Sequence, residues 1–126
     1  MSFEDFQKYL NKTEKNRTID IKRDLIERIQ DLIIDTFLSA RRTLNPKNCK
    51  GSYELFGFDF LIDEDYRIWL IEVNTNPHLG MPNEYMKQLL PRLMNDMCRL
   101  VVDPFYEPRE MPDAQRPNDF EILYRE

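Results

Sequence analysis

Tyr-Glu-Leu-Phe-Gly-Phe-Asp-Phe-Leu-Ile-Asp-Glu-Asp-Tyr-Arg-Ile-Trp-Leu-Ile-Glu-Val-Asn, residues Tyr53 to Asn74, is the stretch that decides the fold. Two arms rich in aromatic and β-branched residues flank the polar break Asp63-Glu64-Asp65, the pattern of a β-hairpin. Side chains alternate across a strand, so each arm can be sorted by face. Phe56, Phe58, Phe60 and Ile62 share one side of the first arm, and Leu55, Gly57, Asp59 and Leu61 the other. In the second arm Trp69, Ile71 and Val73 share a side, and Ile68, Leu70, Glu72 and Asn74 share the other. A loop of about four residues closes such a hairpin. That register sets Phe60 opposite Ile71, Phe58 opposite Val73 and Asp59 opposite Glu72, with Asn74 roughly 7 Å further along.

Like charges facing each other on a sheet repel. Two carboxylates and an amide oxygen on one face suit a hard cation such as Mg²⁺, which takes one or two carboxylates and completes its octahedron with water and phosphate. The same residues equally suit a solvated outer face, where charge costs little. The pattern by itself leaves both readings open.

Outside the hairpin, the 126 residues are one domain's worth of chain. At 41% hydrophobic and 33% charged residues the expectation is a soluble, globular protein. Three glycines leave no glycine-rich phosphate loop. Cys49 and Cys98 form no CxxC pair, and a reducing intracellular setting is expected. No apolar leader or membrane-length run is present, so no membrane partner is expected. Residues 1–50 carry 11 Lys and Arg against 8 Asp and Glu, whereas residues 51–126 carry 7 against 15. A net charge of −5 argues against nucleic acid as a partner.

In chain order, Ser2 and Asp5 carry a helix-capping pattern ahead of Phe3, Phe6 and Leu10. Ile21, Leu25, Ile29, Leu32, Ile33, Thr36, Phe37 and Ala40 recur at helical spacing, which predicts a long helix over 18–42 packed on the hairpin's aromatic face. Arg41, Arg42, Lys47 and Lys50 follow. They suit a helix C-terminus, and they also suit a patch for an acidic partner. Beyond the hairpin, Thr75 to Pro82 is a turn carrying His78, the only histidine, which is given no catalytic role. A second amphipathic stretch spans 83–102, with Pro91 expected to kink or split it. Residues 103–126 read as an irregular tail, with Phe120, Ile122 and Tyr124 alternating as in a short edge strand.

No Ser/His/Asp triad, reactive Cys/His pair or HExxH occurs, so any chemistry falls to the carboxylate face of the hairpin. Phe56 to Asp63, followed by Trp69 to Pro77, resembles the C-terminal part of the tubulin tyrosine ligase-like family, and the flanking helices extend the likeness over nearly the whole chain. The resemblance implies an α+β fold, the C-terminal portion of an ATP-grasp domain, with an antiparallel hairpin packed against helices across 1–126. It implies an ATP-dependent ligase that adds tyrosine, glutamate or glycine to tubulin through an acyl phosphate. By position, Asp59, Glu72 and Asn74 match the Mg²⁺-ATP ligands, and Leu61 and Ile71 match residues lining the adenine. No side chain beyond these ligands is implied as catalytic. The basic group Arg41, Arg42, Lys47 and Lys50 would draw the acidic tubulin tail. The implied setting is cytoplasmic, on the microtubule cytoskeleton or in a cilium, with a free amino acid as second substrate.

The partner half that supplies phosphate-binding lysines has no counterpart here. The expectation is therefore a piece of a ligase that by itself binds Mg²⁺-ATP weakly or not at all and has no turnover, and that is active only within a complete chain. The alternative is a non-catalytic module that keeps the fold and binds tubulin or another partner.

Overall fold

A computed structural model describes residues 2–15, 17–47, 49–106 and 116–125. The elements are α1 (Phe3–Thr13), a π-helical turn (Ile21–Ile26) leading into α2 (Glu27–Leu44), β1 (Gly57–Ile62), β2 (Ile68–Asn74), α3 (Glu84–Val101) and a 3₁₀ turn (Asp103–Phe105). The fold is α+β, with β1 and β2 forming a two-stranded antiparallel sheet. Contacts divide the chain into two compact units. One comprises the described residues of Met1–Lys47 and Phe58–Asn74, the other those of Asn48–Gly57 and Thr75–Glu126.

In the first unit, α1 starts at a reciprocal cap. The Asp5 N–H donates to Ser2 Oγ at 3.1 Å, and the Ser2 N–H donates to Asp5 Oδ2 at 3.3 Å. Leu10 then meets Ile21 and Leu25 in a small buried cluster, with Phe6, Ile19, Ile26, Tyr66 and Ile68 packed around it. Gln7 holds these pieces in place. Its side chain donates to the Ile19 carbonyl at 2.7 Å and accepts from the Ile21 N–H at 2.8 Å, satisfying two backbone groups just before the helix begins.

The long helix differs from its expected form at its start. It begins at Ile21 behind an Asp20 cap, where Asp20 accepts from the Arg23 N–H and Asp24 accepts from the Asp20 N–H, both at 2.9 Å. Its first turn is widened, with the Glu27 N–H bonding to the Lys22 carbonyl five residues back. The wider turn keeps Ile21, Leu25 and Ile26 together on the core. Hydrophobic spacing alone does not distinguish this turn from an ordinary α turn. Along α2 the stripe Ile29, Leu32, Ile33, Thr36, Phe37 and Ala40 is half-buried. Phe37 packs on Phe58 of β1 with ring centroids 5.7 Å apart, and Phe58 stacks on Phe60 at 6.1 Å. Each such pair contributes about 0.5–1.5 kcal/mol beyond area burial.

The turn between the strands is organised by Asp63, whose role the sequence pattern does not reveal. Its carboxylate accepts from the Asp65 and Arg67 N–H groups and from Trp69 Nε1, each at 2.9 Å. Tyr66 sits at φ 64°, a left-handed conformation uncommon for a bulky residue. Its side chain offsets that strain by packing on the Leu10–Ile21–Leu25 cluster.

In the second unit α3 starts at Asn83, whose side chain accepts from the Met86 N–H at 3.0 Å. The helix runs unbroken past Pro91, so proline does not split it. Leu90 is buried, and Met86, Leu93, Met94, Met97 and Val101 are half-buried along the same stripe. The expected edge strand at Phe120, Ile122 and Tyr124 is absent, since residues 116–125 form no strand. Side-chain bonds hold the start of this segment on α3 instead. Of the expected tail, Pro108 and Pro112 lie outside the described residues.

Asp96 is the centre of that attachment and is 1% exposed. It accepts from the Asp119 N–H at 3.0 Å, from Arg99 at 3.3 Å and, at close range, from Arg116. The Asp96 carbonyl also accepts from Asn118 Nδ2 at 2.9 Å.

Four carboxylates stand below their ordinary range, among them Asp5, lowered by the Ser2 hydroxyl and then by the Ser2 N–H. Burial pushes Asp96 up, but the Asp119 N–H and the Arg116 and Arg99 guanidinium groups outweigh it. Asp63 is lowered by Trp69, then by the Arg67 and Asp65 N–H groups. Asp24 is held at about 2 by Arg23, then by the Asp20 N–H. A depressed native pKa contributes stability that is complete above the unfolded value and is lost as pH falls through the native one. The chain should therefore keep its stability down to about pH 4 and lose it progressively towards about pH 2. A series of melting curves across that range checks this, and a midpoint indifferent to pH there would contradict it.

Candidate functional site

The candidate site lies on the hairpin, within the first unit. Turn geometry and exposure together define the strand faces, and they differ from the expected register. The Asp63 N–H bonds to the Arg67 carbonyl at 3.1 Å. Counting along the strands from that pair sets Phe60 opposite Leu70 and Asp59 opposite Ile71, one residue away from the expected pairing. Exposure follows this count near the turn. Ile68 and Leu70 are half-buried with Phe58 and Phe60, while Trp69 and Ile71 are 53% and 61% exposed, as is Leu61 at 50%.

Further along, the phase changes. Glu72 is exposed like Ile71, Val73 is half-buried, and Asn74 reaches back to Asp59. Ile71 and Glu72 are thus consecutive exposed residues, and Val73 and Asn74 consecutive half-buried ones. Ile71 therefore leaves the aromatic face to which strict alternation assigned it, and it shares exposure with Leu61 and Asp59. Ile68 moves the opposite way, onto the buried cluster.

The three polar residues of the hairpin come together. Asn74 Nδ2 donates to Asp59 Oδ2 at 3.2 Å and to Glu72 Oε1 at 3.1 Å, so one amide group bridges two carboxylates. Neither acid makes an ion pair among the described residues. Among those residues no three His, Cys, Asp or Glu side chains gather as a metal cluster. The donor set on offer is two carboxylates and one amide, all oxygen-bearing and hard. Among the described residues Asn74 Nδ2 is the donor that both carboxylates share.

The basic residues are placed less tightly. Arg41 and Arg42 lie exposed in the last turn of α2, and Lys47 follows them in the first unit. Lys50 belongs to the second unit.

A model of the tubulin-tyrosine ligase family matches residues 1–110, which include both strands and all three polar residues. The chain belongs to the tubulin-tyrosine ligase family. Tubulin glycylase 3B of Tetrahymena thermophila is 27% identical over 126 residues, covering 99% of this chain and 10% of that protein. Tubulin monoglycylase TTLL3 of Danio rerio is 29% identical over 105 residues, covering 83% of this chain and 13% of that protein. A human relative, inactive polyglycylase TTLL10, is 37% identical over 82 residues, covering 64% and 12%. The chain thus spans between about a tenth and an eighth of the length of these family members.

Proposed function

We propose that this chain carries the Mg²⁺-ATP-holding hairpin of an ATP-grasp ligase that adds an amino acid to tubulin, and that it works within a complete family polypeptide. The observation that carries the reading is the bridge from Asn74 to both Asp59 and Glu72. Facing acids on a sheet are destabilising unless something neutralises them, and an amide is a weak substitute for a cation. A half-turn of the Asn74 side chain would present Oδ1 in place of Nδ2 and make three oxygens converge.

Mg²⁺ held there would neutralise phosphate charge, and ATP would supply the phosphoryl group that activates a carboxylate for attack by an amine. Asp59 and Glu72 would hold the ion, Asn74 would complete and orient the set, and Leu61 and Ile71 would offer apolar surface to the base. No side chain of this chain has to act as nucleophile. The relatives are named as glycylases, which favours glycine over tyrosine or glutamate as the transferred residue. Tubulin as acceptor places the work in the cytoplasm, at the microtubule cytoskeleton, and no described helix is long and apolar enough to cross a membrane. Arg41, Arg42, Lys47 and Lys50 would attract the acidic tubulin tail by long-range charge.

Thermal titration tests the nucleotide part of the reading. Ligand at ten times its dissociation constant stabilises by about 1.4 kcal/mol. In a full-length family polypeptide carrying this chain, Mg²⁺-ATP in the millimolar range should raise the melting temperature further than Mg²⁺ alone. Leu61→Asp should remove the added nucleotide shift and spare the Mg²⁺ shift. Equal shifts from Mg²⁺ and Mg²⁺-ATP in the unaltered full-length polypeptide would refute nucleotide binding here.

A second reading has one specific support, the human relative named as an inactive polyglycylase. On that reading the chain keeps the fold as a tubulin- or partner-binding module without turnover. It predicts no Mg²⁺-ATP shift at all. The paired acids favour the ligase reading, because a module that holds no cation gains nothing from keeping them face to face.

A further inference from the structure

Leu89, Arg92, Leu93 and Asp96 of α3 have the i, i+3, i+4, i+7 spacing that puts them on one helix face. Together with Asp119 and Phe120 they line a cavity of about 170 Å³, wholly within the second unit. Its walls are Leu89, Leu93 and Phe120, and Leu89 and Phe120 remain exposed, so the cavity is open to a ligand. Asp96 is the most buried of the six, and its oxygens are already occupied by Arg99, Arg116 and the Asp119 N–H.

Arg92 and Asp119 differ from Asp96 in both respects. Each is about half exposed, and Arg92 Nε pairs with Asp119 Oδ2 at close range. Arg116 Nη1 donates to the same Oδ2 at 3.2 Å, and the Asp119 N–H donates to Asp96 at 3.0 Å. The pair is thus fixed before any ligand arrives, which lowers the cost of binding. The two terminal nitrogens of Arg92 and Oδ1 of Asp119 have no protein partner among the described residues.

We propose that this cavity binds a free α-amino acid with a large apolar side chain. Its carboxylate lies on the terminal nitrogens of Arg92, a fork that suits carboxylate geometry. Its ammonium lies on Asp119 Oδ1, and its side chain lies among Leu89, Leu93 and Phe120. A fixed cation beside a fixed anion favours a zwitterion, because a simple anion would face Asp119 and a simple cation would face Arg92. A residue inside a peptide carries neither terminal charge. An apolar cavity of about 150 Å³ is enough to hold benzene, so one ring or branched chain fits here and glycine leaves the walls bare. The proposal is independent of the nucleotide reading, because the cavity shares no residue with Asp59, Leu61, Ile71, Glu72 and Asn74.

L-Phenylalanine titrated into the 126-residue chain should shift the amide resonances of Leu89, Leu93, Asp119 and Phe120 and saturate, leaving those of 57–74 in place. A ligand of this size should bind in the millimolar range or tighter. Glycine should not bind. Phenylalaninamide, without the carboxylate, and hydrocinnamate, without the ammonium, should each bind about tenfold or more weakly. Arg92→Met should cost a similar factor. Leu89→Trp, at an exposed helix position, should fill the cavity and abolish binding. Leu100→Trp, the same change at another exposed position of α3, should leave the affinity within about twofold. The proposal is overturned if phenylalanine moves no resonance or moves those of 57–74 instead. It is also overturned if glycine or either analogue binds as well as phenylalanine, or if Leu89→Trp binds as the unaltered chain does.

Discussion

Replacing Asp96 with alanine will lower the melting temperature by on the order of 10 °C and release residues 116–125 from α3. Among the described residues Asp96 is the one buried polar side chain, 1% exposed. Its two oxygens receive a backbone N–H from Asp119 and guanidinium groups from Arg99 and Arg116. Removing the carboxylate leaves two cations and an N–H facing a cavity with no acceptor, and breaking a buried pair on one side is the costly case. Arg99 also donates to the Arg116 carbonyl at 2.7 Å, so the loss spreads through the attachment. Asp96→Asn retains the shape and one acceptor oxygen, and it should lose roughly half as much. Melting curves give the magnitude, and limited proteolysis shows whether cleavage moves into 116–125. A variant melting within about 2 °C of the unaltered chain would show that the network holds the segment without contributing to stability.

Asp96 also shows where sequence patterning stops being informative. Its neighbours Leu93, Met94 and Met97 lie on a stripe that hydrophobic spacing finds readily, but a lone aspartate on that stripe resembles any other polar position. The residues that satisfy it come from a segment 20 and more positions away, and no local period encodes them. The hairpin was legible for the opposite reason. Alternating Phe58 and Phe60 must face the core, and that requirement fixes the strand and the direction of Asp59. The turn end was less legible, because Asp63 carries its order in three side-chain hydrogen bonds rather than in hydrophobicity. The expected faces also misplaced Ile71, which is exposed, and Ile68, which packs on the buried cluster. The grouping of Asn74 and Glu72 with Asp59 rests on alternation alone, and hydrogen bonds from Asn74 join the three.

The second large effect is a pair of opposite signs from the same substitutions. Asp59→Asn and Glu72→Gln keep the shape of each side chain and remove one negative charge. In buffer containing a chelator, each should stabilise the chain by a few tenths to about 1 kcal/mol, because facing like charges on a sheet cost that much. The melting temperature should rise by a few degrees. Asn74 could then bridge a carboxylate and a neutral amide, which is an easier task than bridging the two acids it meets now at 3.2 and 3.1 Å. With Mg²⁺ present the order should reverse, since the unaltered chain gains an ion that the variants bind poorly. In a longer family polypeptide with measurable ligation, the same substitutions should reduce turnover by on the order of 100-fold or more, the usual loss when charge stabilisation at a reacting centre is removed. A solvated outer face makes a different prediction: the substitutions would be neutral with chelator, neutral with Mg²⁺ and without effect on ligation. A site kept only for folding would show destabilisation in both buffers. Only the cation reading requires these residues to be unfavourable without metal and favourable with it, so the crossing of the two melting series decides among the three.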